Sequence, residues 1–241
     1  MKRALFLLSF LSLSSAFGSF DLPKNLNAKD REGVLGVLGF GSKSKVLSSP
    51  VPLGGSDGFE VGFSTEYIPV SDIAGLGSGS SEQGELNYHV LTFGKGIVHN
   101  VDTFFHFTPI PQSDGVFGYG AHVRWGFWEA RRFPALMSFV IHGSGMNYGN
   151  VLSTRTTGLD LLMTVALEQA ALYFGGGPVR TIGTFSGGTN GLTLEGNNQD
   201  ADLSDLHTVF GLSMNFEKLS LTLEVDRVVQ ASYAARMSYR F

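Results

Sequence analysis

The chain is 241 residues long, with 32 glycines, 20 phenylalanines, no cysteine and a formal net charge of -4. Without cysteine there is neither a disulfide framework nor a lipid-modified cysteine anchor, and the acidic balance offers no basic patch for nucleic acid. Charged residues are only 16% of the total, yet after residue 18 no apolar run approaches the roughly 20 residues a spanning helix requires.

In chain order, Lys2 and Arg3 precede an apolar run from Ala4 to Leu13 and the small residues Ser14, Ser15 and Ala16. This is the layout of a secretory signal, expected over residues 1–18. Residues 19–57 form an N-terminal extension. Gly33, Gly36, Gly39 and Gly41 interrupt any alternation there, and Pro50 and Pro52 cannot donate to a ladder. The extension reads as an irregular segment, with an extra strand hairpin as the alternative.

From residue 58 the pattern has period two. In "VFGYGAHVRWGFW", Phe117, Tyr119, Ala121, Val123, Trp125 and Phe127 share one face, opposite Gly118, Gly120, His122, Arg124 and Gly126. Likewise Leu159, Leu161, Met163, Val165 and Leu167 oppose Asp160, Thr164 and Glu168, while Leu219, Leu221, Leu223 and Val225 oppose Ser220, Thr222, Glu224 and Asp226. The same reading places ten strands at 58–70, 85–95, 100–109, 116–128, 134–145, 156–168, 170–185, 205–216, 219–228 and 231–241.

The apolar faces are long and aromatic at their ends, and the polar faces are thin, filled with glycine, serine and isolated charges. In a soluble sandwich the polar faces would carry the solvating charge. The observed balance suits an antiparallel up-and-down transmembrane β-barrel of about ten strands, or twelve with the extra hairpin, apolar outward and polar within. In this barrel, residues 58–241, the extension at 19–57 becomes a lumen plug, a periplasmic segment or that hairpin. Connections at 129–133, 96–99 and 217–218 are short, those at 71–84 and 186–204 are long, and "MNYGNVLS" is of medium length, which puts the C-terminus on the periplasmic side.

The last strand, with Tyr233, Ala235, Met237, Tyr239 and terminal Phe241 on one face, resembles the C-terminal assembly signal of Gram-negative outer-membrane β-barrel proteins. The resemblance implies residence in the cell outer membrane, contact with its lipid and lipopolysaccharide, and transient engagement of the barrel-assembly machinery. A monomer is expected.

Candidate chemistry is sparse. His142 and Ser144 look like the His-x-Ser pair of the outer-membrane lipid A deacylases, in which a serine beside a histidine performs acyl transfer. In those enzymes the pair faces lipid, whereas the phase set by Met137, Phe139 and Ile141 turns it inward here, and no acidic residue in the same stretch orients the histidine. Asp200, Asp202, Asp205 and His207 invite comparison with the Asp/Asp and Asp/His pairs of ten-stranded outer-membrane proteases, and resemble a calcium loop only faintly, lacking its central glycine and terminal glutamate. No catalytic residue, metal ion or cofactor is expected. The phases send Glu60, Glu66, Asp102, His122, Arg124, His142, Asp160, Glu224, Asp226, Arg236 and Arg240 into the lumen. There they either pair and close the interior or line a narrow, porin-like channel for ions or small solutes. The function expected is accordingly a narrow channel or a structural surface barrel, with a lipid-modifying enzyme using His142 and Ser144 as the alternative.

Overall fold

In a computed structural model, residues 21–47, 51–79, 84–109 and 115–241 are described. The expected signal at 1–18 and most of the connection at 110–115 lie outside them. Ten antiparallel strands close on themselves: β1 (Phe59–Pro69), β2 (Glu85–Val98), β3 (Val101–Phe107), β4 (Val116–Glu129), β5 (Ala135–Tyr148), β6 (Leu152–Ala166), β7 (Ala170–Phe185), β8 (Gln199–Phe216), β9 (Leu219–Arg227) and β10 (Ala231–Arg240). Each pairs with its chain neighbours, and β10 meets β1 with Tyr239 opposite Val61 and Tyr233 opposite Tyr67. Closure removes every sheet edge, as a strand in hydrocarbon requires. It also holds the terminal strand, where the Phe241 N–H donates to the Phe59 carbonyl at 3.0 Å.

The largest boundary differences from the sequence-based expectation fall on β5, β6 and β8. β5 and β6 run on to Tyr148 and from Leu152, so the connection between them is the short turn 149–151. β8 begins at Gln199, which puts Asp200 and Asp202 on a strand rather than in the 186–204 connection. Pairing extends both ladders past the point where apolar alternation stops, because a backbone ladder needs no apolar side chains.

The outward face bears Phe63, Phe105, Trp125, Phe139, Leu161, Phe174, Phe210 and Leu223, all exposed. Tyr239, Phe241 and Phe59 gather at the C-terminal rim, with ring centroids 5.1 Å and 5.4 Å apart for successive pairs. Near the opposite rim Tyr67 and Tyr233 meet at 5.9 Å. Amphipathic rings at both ends of an apolar band mark the two membrane–water interfaces. Tyr233, Tyr239 and Phe241 are exposed and Met237 half-buried.

The extension is not an irregular segment throughout. Residues Ala28–Gly41 form a helix, α1, inside the barrel. Asn27 caps it, its Oδ1 accepting from the N–H groups of Lys29 and Asp30 at 2.9 and 3.1 Å, while the Asp30 carboxylate accepts from the Asn27 N–H. Four glycines cost an isolated helix about 1 kcal/mol each. Burial of Val34, Leu35, Val37, Leu38 and Phe40, worth about 1.5–3 kcal/mol per side chain, outweighs that. Spaced at three residues, Gly33, Gly36 and Gly39 lie along one side of a helix, and a Cβ at Gly39 would stand 2.6 Å from Thr181 Oγ1. Gly39 and Gly41, two of the glycines that break a strand pattern, are those that let the helix fit against Thr181 and Ile68 of the inner wall. α1 packs on Ile68, Leu86, Tyr88, Val90, Val116, Tyr148, Leu152 and Phe185, so the upper half of the interior is an apolar core rather than the polar lumen expected.

Candidate functional site: the filled lumen

The extension passes from one end of the barrel to the other. At the end bearing the 186–198 connection, the Leu26 N–H donates to the Leu192 carbonyl at 2.7 Å and the Leu26 carbonyl accepts from Leu194 at 3.1 Å. Arg31 Nη1 there reaches Glu195 at 2.7 Å, and this contact holds the Glu195 carboxyl below its ordinary value. At the C-terminal end, the Val51 carbonyl accepts from Arg124 at 3.1 Å and Arg240 at 3.2 Å, and the Leu53 N–H donates to Asp102 at 3.1 Å. Between them, Ser42, Lys43, Ser44, Lys45, Val46 and Leu47 are all buried.

Barrel side chains complete the hydrogen bonding of this inner segment. Tyr148 donates to the Leu38 carbonyl at 3.1 Å, which also accepts from the Ser42 N–H at 3.0 Å, and Thr156 donates to the Gly39 carbonyl at 3.0 Å, so barrel side chains join in closing the last turn of α1. Glu224 accepts from the Val46 and Leu47 N–H groups at 3.1 and 2.7 Å and from the Tyr173 hydroxyl at 2.5 Å. Arg236 donates to the Leu47 carbonyl at 2.8 Å. Asp226 Oδ2 lies 3.0 Å from Lys43 Nζ and 2.6 Å from Lys45 Nζ. A charge held in a confined interior needs a partner and hydrogen bonds to offset its desolvation; Asp226 has both, and Glu224 is held by three hydrogen bonds.

The lumen-lining residues read from the sequence are placed as follows. Glu60, Glu66, Asp102, His122, Arg124, His142, Asp160, Glu224, Asp226 and Arg236 are buried and point inward, and Arg240 is half-buried at the rim. Pairing is mostly between neighbouring strands rather than across the bore: Arg124 with Asp102 at 2.6 Å, Arg236 and Arg240 with Glu60 at 2.7 and 3.0 Å. Glu66 accepts from Tyr88 at 2.6 Å, and His122 stacks on Phe104 with ring centroids 4.6 Å apart. His142 does have an acidic partner, Asp160 on the adjacent strand at 3.2 Å, while the Ser144 hydroxyl turns to the Ser42 carbonyl at 3.5 Å. Asp200 and Asp202 face outward, the latter on Arg180, whereas His207 points inward; the structure does not bring them together.

Lys43 and Lys45 escaped the sequence reading, although a signal existed. The inward list holds six carboxylates, at positions 60, 66, 102, 160, 224 and 226, against three guanidiniums, at 124, 236 and 240. A closed interior cannot carry that excess without further cations. Two lysines spaced by one residue in "GSKSKV" are the chain's answer, both delivered to Asp226.

Two small voids, about 20 and 10 Å³, remain beside this segment, the first bordered by Lys43, Glu66 and His106, the second by Lys45, Glu66 and Arg236. Each has room for about one water molecule at most.

A closed antiparallel barrel, apolar and aromatic outside and charged within, is a membrane-spanning architecture, and the chain has the fold of a transmembrane β-barrel. No family model matches it, and no curated protein does. Similar solved structures include Ail, the attachment invasion locus protein of Yersinia pestis, at 11% identity over 76% of this chain and 97% of that one, TM-score 0.32. The N-terminal β-barrel domain of Pseudomonas aeruginosa OprF is 10% identical over 78% and 99%, TM-score 0.34. The translocator domain of the autotransporter NalP from Neisseria meningitidis is 12% identical over 88% and 94%, TM-score 0.39.

Proposed function

We propose that the chain is a self-plugged, non-enzymatic surface barrel, closed at rest, in which residues 26–47 stand where a porin has its pore. The observation that carries this reading is the burial of residues 42–47 in the lumen, tied at once to Asp226, Glu224 and Arg236. Eight strands leave an interior that side chains alone can fill, and wider barrels leave space; with ten strands the chain supplies its own filling. Any porin-like passage of ions or small solutes then requires the plug to leave or shift. The outer face contacts lipid and lipopolysaccharide, the barrel acts as a monomer, and its last strand engages the assembly machinery transiently.

Planar-bilayer recording tests this. The intact chain is expected to be silent for most of the record, and a variant lacking residues 26–53 to give discrete open steps. Steady conductance from the intact chain sinks the proposal. For the non-enzymatic part, His142→Ala is expected to leave lipid A acylation unchanged in cells carrying the protein; a changed acylation pattern would restore the deacylase reading.

A further inference from the structure

We propose that His142, Asp160 and His207 form a binding site for one divalent transition-metal ion, zinc(II) being the ion best matched, inside the lumen. Among the described residues these three bring one donor atom each to within 4.8 Å of one another. Two imidazoles and one carboxylate are a donor set that suits zinc and disfavours calcium or magnesium, which take oxygen ligands. The three side chains are at most 1% exposed.

The contacts within the cluster are those of converging donors more than of a finished hydrogen-bond network. His142 Nε2 and Asp160 Oδ2 lie 3.2 Å apart, yet neither atom is in a directed hydrogen bond, and His142 Nδ1 has no partner either. Buried polar atoms are rarely left so. His207 Nδ1 is hydrogen-bonded to Asp160 Oδ1 at 2.8 Å, and its Nε2 lies 2.6 Å from Asp226 Oδ1 without a directed hydrogen bond. A histidine that binds a metal through one nitrogen commonly donates its other N–H to a carboxylate, which fixes its tautomer. Asp226 is placed for that role, and its second oxygen holds Lys43 and Lys45 of the plug.

The backbone clears room for the cluster. A Cβ on Gly158 would lie 2.5 Å from His142 Nε2, and one on Gly177 would run into the Leu159 carbonyl. β7 carries no side chain at Gly175, Gly176 and Gly177, and across that bare strip Asp160 of β6 reaches His207 of β8. Three carboxylates, Asp226, Asp160 and Glu224, act on the single Lys43 ammonium, so the cluster sits in acidic surroundings. On binding, the ion displaces the proton between His207 Nδ1 and Asp160, and it joins β5, β6 and β8 to the plug through Asp226.

The test uses the full mature chain, unfolded with chelator, refolded into detergent with zinc(II) or cobalt(II), and freed of excess ion. About one ion per folded chain is expected, and the cobalt form should show the intense visible bands of a tetrahedral site. His142→Ala and Asp160→Asn should each weaken binding by more than tenfold, and Asp226→Asn, one shell out, by about 10–100-fold. Heat-dependent gel mobility identifies which variants have folded. Gly158→Ala keeps every donor but crowds His142, and should lower occupancy too. The proposal is overturned if the refolded wild type holds neither ion, if cobalt gives no tetrahedral bands, or if folded His142→Ala and Asp160→Asn bind as tightly as wild type; those outcomes leave a purely ionic cluster.

Discussion

Asp226 illustrates how a single residue can govern the interior. One oxygen receives both plug lysines and the other faces His207, so it joins the wall, the plug and the histidine pair. Arg124 and Asp102 do the same work on a smaller scale near the C-terminal rim, 2.6 Å apart with side chains 2% and 0% exposed. Removing one member of a buried pair leaves the other charged and unanswered, at a cost of about 3–5 kcal/mol. Arg124→Leu is therefore expected to destabilise the barrel by about that amount, read from reversible urea unfolding out of lipid vesicles. Glu195 gives a pH handle outside the membrane. Its contact with Arg31 lowers its value from an ordinary 4.5, so the stabilisation is complete above that pH and is lost as the pH falls through the lowered value. Acidification through this range should loosen residues 26–31, measured by hydrogen exchange of their amides, and Glu195→Gln should abolish the acid step. An unchanged step in that variant would assign the effect to another group.

At the scale of elements, α1 exists because the barrel surrounds it. Its glycine-rich sequence has poor helical propensity, and its stability comes from the apolar pocket between Ile68, Leu86, Tyr148 and Phe185. Among the glycines of α1, Gly39 is the tightest point against the wall, at Thr181. Gly39→Val should push α1 off the wall and raise open probability in bilayers, with the strands still forming a heat-modifiable barrel. The strands respond to the opposite rule, since their outward residues meet lipid. Leu161 is exposed on β6 with Leu159, and Leu161→Arg near mid-span should cost about 2–4 kcal/mol in vesicle unfolding. An effect near zero would mean that this face does not meet hydrocarbon.

The whole molecule combines two kinds of interior. The half around α1 is packed like a soluble domain, and the half around Lys43 and Lys45 is an ionic lattice. The apolar half anchors the plug through burial, which is indifferent to salt, and the ionic half fixes its register through paired charges. High salt should therefore weaken the hold on residues 42–47 only modestly, because buried pairs are poorly screened. A steep rise in conductance with ionic strength alone would show the charged half to be wet.

Strand count, order, the inward set of charged residues and the outward aromatic bands were legible in the chain, because each is a local consequence of side chains alternating along a strand between two very different media. Leu159 against Asp160 and Leu223 against Glu224 announce their faces without reference to any distant residue. The fate of residues 21–57 was not legible. Gly33, Gly36, Gly39 and Gly41 have no strand period and little helical propensity, and only the enclosing wall, contributed by residues up to about 190 positions away in sequence, makes a helix and an ionic strap the lowest-energy arrangement. The meeting of His142, Asp160 and His207 was hidden for the same reason: alternation tells which way a side chain points, and closure of the barrel decides which others it meets.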